Sequence, residues 1–356
     1  MKIAIVDKTV LTPKGQEHRS LNWVLRHRKY VKPNNLNYKV STDYFGFFPK
    51  ENNKFEIHDL SYFKSKELDS IADYYDMAYI ADMYGIYYNE WYLDSMETEH
   101  SRIVYGGLHY KDYLFLKRMK ERNKLIILEF NCLGSPTSTA VRNKTEELFG
   151  LRWTGWTLRY FDSLDTLTNA ELPNWVIENY MEQHNNEWPF TKAGIVFVYE
   201  YEHIFILENE THLTNEIPLI HTGTYGQEKY NLPQEFTYPY WIDITRSLDS
   251  SNREISTHEV MTNSKGDSIL AHYNVPHSFP AVMEHLDNYR FYYFAGDFCD
   301  NIIPPISAYF RGVTHLKRWL VDRNDYRKRS AFFWNYYYPM MEVIMNDYYK
   351  SLSVEK

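Results

Sequence analysis

Cys132 lies in "LIILEFNCLGSPTSTAVRNKTEELFG", residues 125 to 150, where an apolar run turns through a polar corner into a helical pattern. A thiolate at such a corner is a nucleophile, and the positive end of a following helix would favour its ionised form. Ser135 reads as the N-cap of that helix, Pro136 as its first residue and Gly150 as its stop, so the helix begins just beyond the thiol. The competing reading is an ordinary thiol packed into the fold, and the residues alone leave both open. Asp82 and Glu129 also fall at the ends of apolar runs. Two carboxylates in one pocket can separate their pKa values and divide acid and base work, although capping loops or pairing with Lys and Arg is their commoner use. Asp7, Gly106, Gly107 and Asn131 complete a polar set at predicted strand ends.

The elements that would bring these residues together are short apolar strands alternating with helical patterns over the first 150 residues. "KIAIV", "KFEIHDL", "DMAYIADMYG", "SRIVYGG" and "KLIILEF" read as strands, and "KDYLFLKRMKERN" carries a helical stripe. A parallel sheet covered by helices puts its loops and helix N-termini at the carboxyl ends of the strands, which is where a ligand belongs. Residues 151–192 turn Trp-rich and irregular and read as an insertion or lid over that edge. "AGIVFVYEYEHIFIL" reads as a hairpin, "TYPYWIDI" as a strand piece, and "SILAHYNV", "FPAVMEH" and "RFYYFAGDF" as further strands. In the last stretch, "ISAYFRGVTHLKRWLVDRN" and "SAFFWNYYYPMMEVIMNDYYK" are mainly helical, with Pro339 marking a start or kink.

Composition narrows the function classes. Among 356 residues, 33 Tyr, 20 Phe and 9 Trp are an unusual excess, serving either as core or as half-buried clefts and interfaces. Trp153, Trp156, Arg159 and Tyr160 could stack a sugar ring and hold a carboxylate, or anchor the insertion on the core. A net charge of -8 without a Lys/Arg stripe argues against nucleic acid, and no apolar run is long enough to cross a bilayer, so neither nucleic acid nor membrane is expected as a partner. The start reads as a strand and not as a secretory leader, which makes a cytoplasmic location the expectation. Two cysteines form no disulfide framework and no zinc spacing, and phosphate-loop, dinucleotide and G-x-S-x-G patterns are missing, so neither metal nor cofactor is expected. Asp297, Cys299 and Asp300 in "AGDFCDN" follow a late strand on what could be the same edge as Glu129. The aromatic run "FFWNYYYPMM" suits either a homo-oligomer face or packing on its own domain.

Taken together, "VYGG" (104 to 107), the helix after it and "LIILEFNCLG" (125 to 134) resemble the class I glutamine amidotransferase-like superfamily. The resemblance implies a flavodoxin-like α/β sheet with helices on both faces, Cys132 as nucleophile, and an oxyanion hole from Gly106, Gly107 and the Leu133 amide. Phe130 stands where that family has a glycine, and Tyr199, Glu200 and His203 stand where it has His-x-Glu. "DSILAHYNVPHSFPAVMEHLDNYRFYYFAGDF" (267 to 298) resembles the non-catalytic, trimerisation-type domains of the same fold in carbohydrate enzymes such as certain beta-galactosidases. The expectation is therefore an amidotransferase-like domain over residues 1–310, with an aromatic insertion at about 151–192 and a helical extension at 311–356. Its function would be to bind a small polar ligand such as a saccharide at the sheet's C-terminal edge, linked to carbohydrate or polysaccharide metabolism. The ligand set would be Asp82, Gly106, Gly107, Asn131, Ser135, Trp153, Trp156 and Arg159, with Cys132 and Glu129 as the catalytic pair if chemistry occurs. A Cys132-dependent hydrolase or amidotransferase and an oligomerising scaffold are the alternatives.

Overall fold

A computed structural model describes residues 1–93, 101–322 and 325–354. Five apolar strands lie parallel at its centre, in the spatial order Phe45–Pro49, Ile3–Asp7, Met77–Ile80, Leu125–Leu128 and Arg290–Phe294. Numbered along the chain this is 2-1-3-4-5, the flavodoxin-like order. The sequence dictates such a core: "IAIVD", "MAYI" and "LIIL" are buried at every position, as strands covered on both faces must be. Helices Ser65–Tyr74, Tyr110–Glu121 and Thr139–Phe149 pack together, and Arg19–His27 packs with the C-terminal Tyr338–Val354.

The sheet continues antiparallel at both margins, with Phe55–His58 on one side and Ser278–His285, Arg253–Glu259, Leu219–Thr222 and Glu235–Thr237 on the other. Residues 151–192 do not form an irregular insertion throughout. Leu151–Phe161 is an eleven-residue strand in a second, antiparallel sheet with Gly194–Tyr199, Ile204–Glu208 and Ile242–Ser247. That sheet is pinned over the parallel strands' C-terminal end: the Asp243 amide donates to the Ala295 carbonyl at 2.7 Å.

Three local expectations change. "SILAHYNV" belongs mostly to helix Ser264–His272, because Asn263 caps the Lys265 and Gly266 amides and so starts a helix ahead of an apolar run too short to tell helix from strand. "SRIVYGG" gives Ile103–Tyr105, which pairs with Ile86–Tyr87 in a small separate sheet. The helix after Cys132 starts at Thr139 behind Ser138, one turn later than Ser135, because Thr137 ties the corner down by accepting from the Leu108 amide and donating to the Cys132 carbonyl. Gly150 ends that helix in the left-handed region, as expected. Pro339 follows a π-turn at Phe333–Tyr337 as the C-terminal helix resumes, which fits a residue lacking an N–H donor. The other C-terminal helix, Val313–Leu320, also falls where helix is expected; residues 323 and 324 of that stretch lie outside the described ones.

Candidate functional site

The pairing register brings the strand ends level. Val6 lies beside Ile80, Ile80 beside Leu128, and Leu128 beside Tyr293, so Asp7, Asp82, Glu129 and the segment after Phe294 meet at one edge. In the 2-1-3-4-5 order the chain reverses its winding between the first and third strands, and the crevice opens there. Asp7 and Asp82 flank that switch point.

Asp7 is wholly buried and accepts from the Glu17 amide at 2.9 Å and from Nδ1 of His18 at 2.7 Å. The other His18 nitrogen faces the Val40 carbonyl at 3.0 Å. Acceptors thus face both nitrogens of the ring and fix its orientation. Asp82 is half-buried and accepts from the Tyr84 amide at 2.7 Å. Burial, reinforced by Asp297 and Asp7, pushes its carboxyl up to about 8, against that hydrogen bond. That direction favours the protonated form near neutral pH, an unusual property for a carboxyl and one often found at functional sites.

Beside it, Arg329 reaches in from the C-terminal extension with one guanidinium nitrogen on Asp297 and the other on Asp300, while Arg19 Nε lies 3.1 Å from Asp300. Burial works against the Arg329 charge, but Asp297 and Asp300 outweigh it and hold the guanidinium firmly protonated. Glu17 completes the group: burial, then Asp300 and Asp297, raise its carboxyl well above the usual range. The Tyr240 ring lies 4.3 Å from the Arg329 guanidinium. Glu17, Arg19, Asp82, Asp297, Asp300 and Arg329 are all half-buried and form a mixed-charge rim over the switch point.

The expected residues divide between rim and interior. Glu129 is buried beneath the rim, accepting from the Tyr79 hydroxyl and, at 3.3 Å, from the Cys299 amide. The same knot includes Tyr337, whose hydroxyl lies 2.9 Å from that of Tyr79 and 3.2 Å from the Cys299 sulfur. Burial raises the Glu129 carboxyl well above its usual range, and its contacts fasten the C-terminal helix to the sheet. Cys132 is also fully buried; burial, then Asp82 and Asp243, raises its thiol well above the ordinary value, and its sulfur lies 4.0 Å from the Ile80 carbonyl. This is the reverse of a nucleophile's setting, which needs a lowered pKa and access. The cause is the second sheet. Asp243 on it accepts from the Asn131 amide at 3.1 Å and the Tyr293 hydroxyl at 3.0 Å, and Trp153 packs over Gly134.

The glycine pair does adjoin the Cys132 loop, but its groups are engaged. The Gly107 amide donates to the Met83 carbonyl at 2.7 Å and its carbonyl accepts from Lys8 at 3.0 Å. A Cβ on Gly106 would sit 2.6 Å from the Gly85 Cα, so these glycines allow close backbone packing and do not present a ready oxyanion hole. Ser135 is exposed on the loop. Trp153 and Trp156 are buried, the Trp153 indole donating to the Trp156 carbonyl and Trp156 packing on Tyr199, Phe205 and Tyr273. They anchor the second sheet and offer no open stacking surface. Arg159 pairs with Glu171 at 2.7 Å and lies over Phe161.

Sequence reasoning missed Glu17, His18, Arg19 and Arg329. The first three stand in a polar stretch without periodicity, and Arg329 is far along the chain. The available signal was "AGDFCDN", whose acids needed cationic partners. Among the described residues, two groups of side chains have metal-like spacing, Glu17 with Asp297 and Asp300, and Asp59 with His109 and Asp112. Each is engaged by cations of the chain itself: Arg19 and Arg329 in the first, and Lys8, 2.7 Å from Asp112 and 3.2 Å from Asp59, in the second.

No protein-family model and no curated protein matches the chain. Two solved structures are similar across nearly the whole length. The crystal structure of SMU.1228c is 9% identical with a TM-score of 0.38, covering 98% of this chain and 99% of that one. A protein described as ThuA-like from Bacteroides uniformis is 11% identical with a TM-score of 0.33, covering 91% and 93%. Likenesses this distant carry no argument about the site.

Proposed function

We propose that the protein binds a small polyhydroxylated ligand, a saccharide or acidic saccharide, at the rim over the switch point, without covalent catalysis through Cys132. The observation that carries this reading is the half-buried set of Asp82, Glu17, Asp297, Asp300, Arg19 and Arg329 across the ends of the parallel strands. Protonated carboxyls donate to ligand oxygens and carboxylates accept from hydroxyls, Arg329 holding Asp297 and Asp300 in place, while Tyr240 and Tyr84 give apolar faces for ring C–H groups. Asp82 changes protonation near neutral pH and is the residue suited to proton exchange with a ligand hydroxyl. The adjoining glycine and Cys132 loops, joined by the Leu108 amide on Thr137, support an amidotransferase-like reading of this edge without its catalytic thiol.

The test is saturation-transfer NMR against a panel of neutral and acidic saccharides with the wild type, Asp82→Asn and Arg329→Lys. The expected result is a signal from at least one sugar that weakens in both variants. A panel without any signal, or a signal indifferent to both substitutions, refutes the reading.

A further inference from the structure

We propose that the segment around helix Val313–Leu320 docks this protein on an anionic membrane surface. Two observations on separate parts of the chain meet there. The first is apolar exposure: Tyr309, Phe310, Leu316, Trp319 and Leu320 all face solvent, Trp319 at 81% and Phe310 at 60%. Isolated exposed apolar residues are ordinary, but five within twelve positions, two of them on the short turn Pro305–Tyr309 and just after it, form a patch that needs an occupant. On the helix, Val313 and Thr314 face the core, and Leu316, Trp319 and Leu320 make a neighbouring outward stripe.

The second observation is a basic cleft of about 820 Å³ alongside. Arg26, Arg28 and Lys29 line it from the end of helix Arg19–His27, and Arg311, His315 and Arg318 from the Val313–Leu320 side. Its one carboxylate, Glu342, is 2.8 Å from Arg28. Arg26 lies over the Tyr309 ring at 5.5 Å, and its buried Nε lacks a hydrogen-bond partner, so cation and apolar patch join at this residue. Such a concentration of positive charge is notable in a chain of net charge -8.

A cationic cleft beside exposed Trp, Phe and Leu matches the chemistry of a lipid headgroup layer: phosphates enter the cleft and the apolar side chains enter the acyl boundary. Charge complementarity selects the anionic surface. Among the described residues no helix is long and apolar enough to cross a membrane, so the contact is interfacial. This departs from the composition-based expectation of no membrane partner, because a whole-chain charge hides a local patch of opposite sign.

The full chain is sedimented with vesicles of phosphatidylcholine alone or mixed with phosphatidylglycerol, at low and high sodium chloride. Binding to the mixed vesicles, weakened by salt and weak on phosphatidylcholine, is expected. Trp319→Ser with Leu320→Ser, and separately Lys29→Glu with Arg311→Glu, change exposed side chains, should leave the unfolding curve unmoved, and should each lower partitioning by about tenfold or more. Equal binding to both vesicle types, binding to neither, or partitioning unchanged in both variants overturns the proposal. Saturable binding of inorganic phosphate without vesicle binding makes the cleft a small-anion site instead, and loss of a dimer in the Trp319 variant without vesicle binding makes the patch a self-association face; both overturn it.

Discussion

Replacing Asp82 by Asn tests the electrostatics of the rim in a way that the fold alone does not predict. Asn keeps an oxygen for the Tyr84 amide, so the local hydrogen bond survives and only the titration is lost. The unfolded side chain gives up its proton near its ordinary value of 3.8, the folded one near 8. Between those values the folded state binds more protons, so Asp82's contribution to stability is fully present below about pH 4, falls as pH rises, and is lost above about pH 8. Each tenfold change in proton affinity is about 1.4 kcal/mol, which sets a ceiling of about 6 kcal/mol, and solvent at the half-buried rim brings this to about 2 kcal/mol. Urea unfolding of wild type and variant at pH 5 and pH 8.5 reads the difference. The variant should gain about 1.5 kcal/mol on the wild type between the two conditions, since pH 5 already lies above the unfolded value. Parallel pH profiles would refute the claim that Asp297, Asp7 and burial hold this carboxyl protonated.

Cys132→Ala should cost only about 1 kcal/mol in stability and nothing in ligand binding, and the native thiol should resist iodoacetamide at neutral pH until urea opens the core; rapid native alkylation would contradict its burial. Lys8→Met should cost about 3–5 kcal/mol by denaturation, because Asp59 and Asp112 lose the buried ammonium between them; a loss under about 1 kcal/mol would show that Tyr105 and the backbone suffice. Arg329→Lys keeps the charge but gives up the fork spanning Asp297 and Asp300, and calorimetry should show ligand affinity down about tenfold with the fold retained.

The parallel core was legible because strands buried on both faces are continuous apolar runs, and "IAIVD", "MAYI" and "LIIL" have no other use. Phe45–Pro49 was not legible as a strand, since its Gly46 and Pro49 read as loop; Gly46 is required where a Cβ would meet the Asp7 carbonyl. Asp7, Asp82 and Glu129 were found because strand ends can be read from a hydrophobic pattern. Whether each faces solvent could not be, since that depends on distant segments: Glu17 and His18 over Asp7, Cys299 and Tyr337 around Glu129, and the second sheet's Asp243 beside Cys132. The Trp153 and Trp156 pair shows the same limit: burial, and not residue type, separates an anchor from a stacking platform. Arg329 and Glu17 come together only through tertiary packing between the two ends of the chain.

The central claim is that ligand is held at the rim around Asp82 and not at the cysteine. Calorimetric titration of the strongest-binding saccharide into wild type, Asp82→Asn and Cys132→Ala, each in two buffers of different ionisation enthalpy, tests it most directly. Equal affinity in wild type and Cys132→Ala, with weaker binding and no linked proton transfer in Asp82→Asn, is the predicted result. Binding abolished by Cys132→Ala and untouched by Asp82→Asn would contradict it.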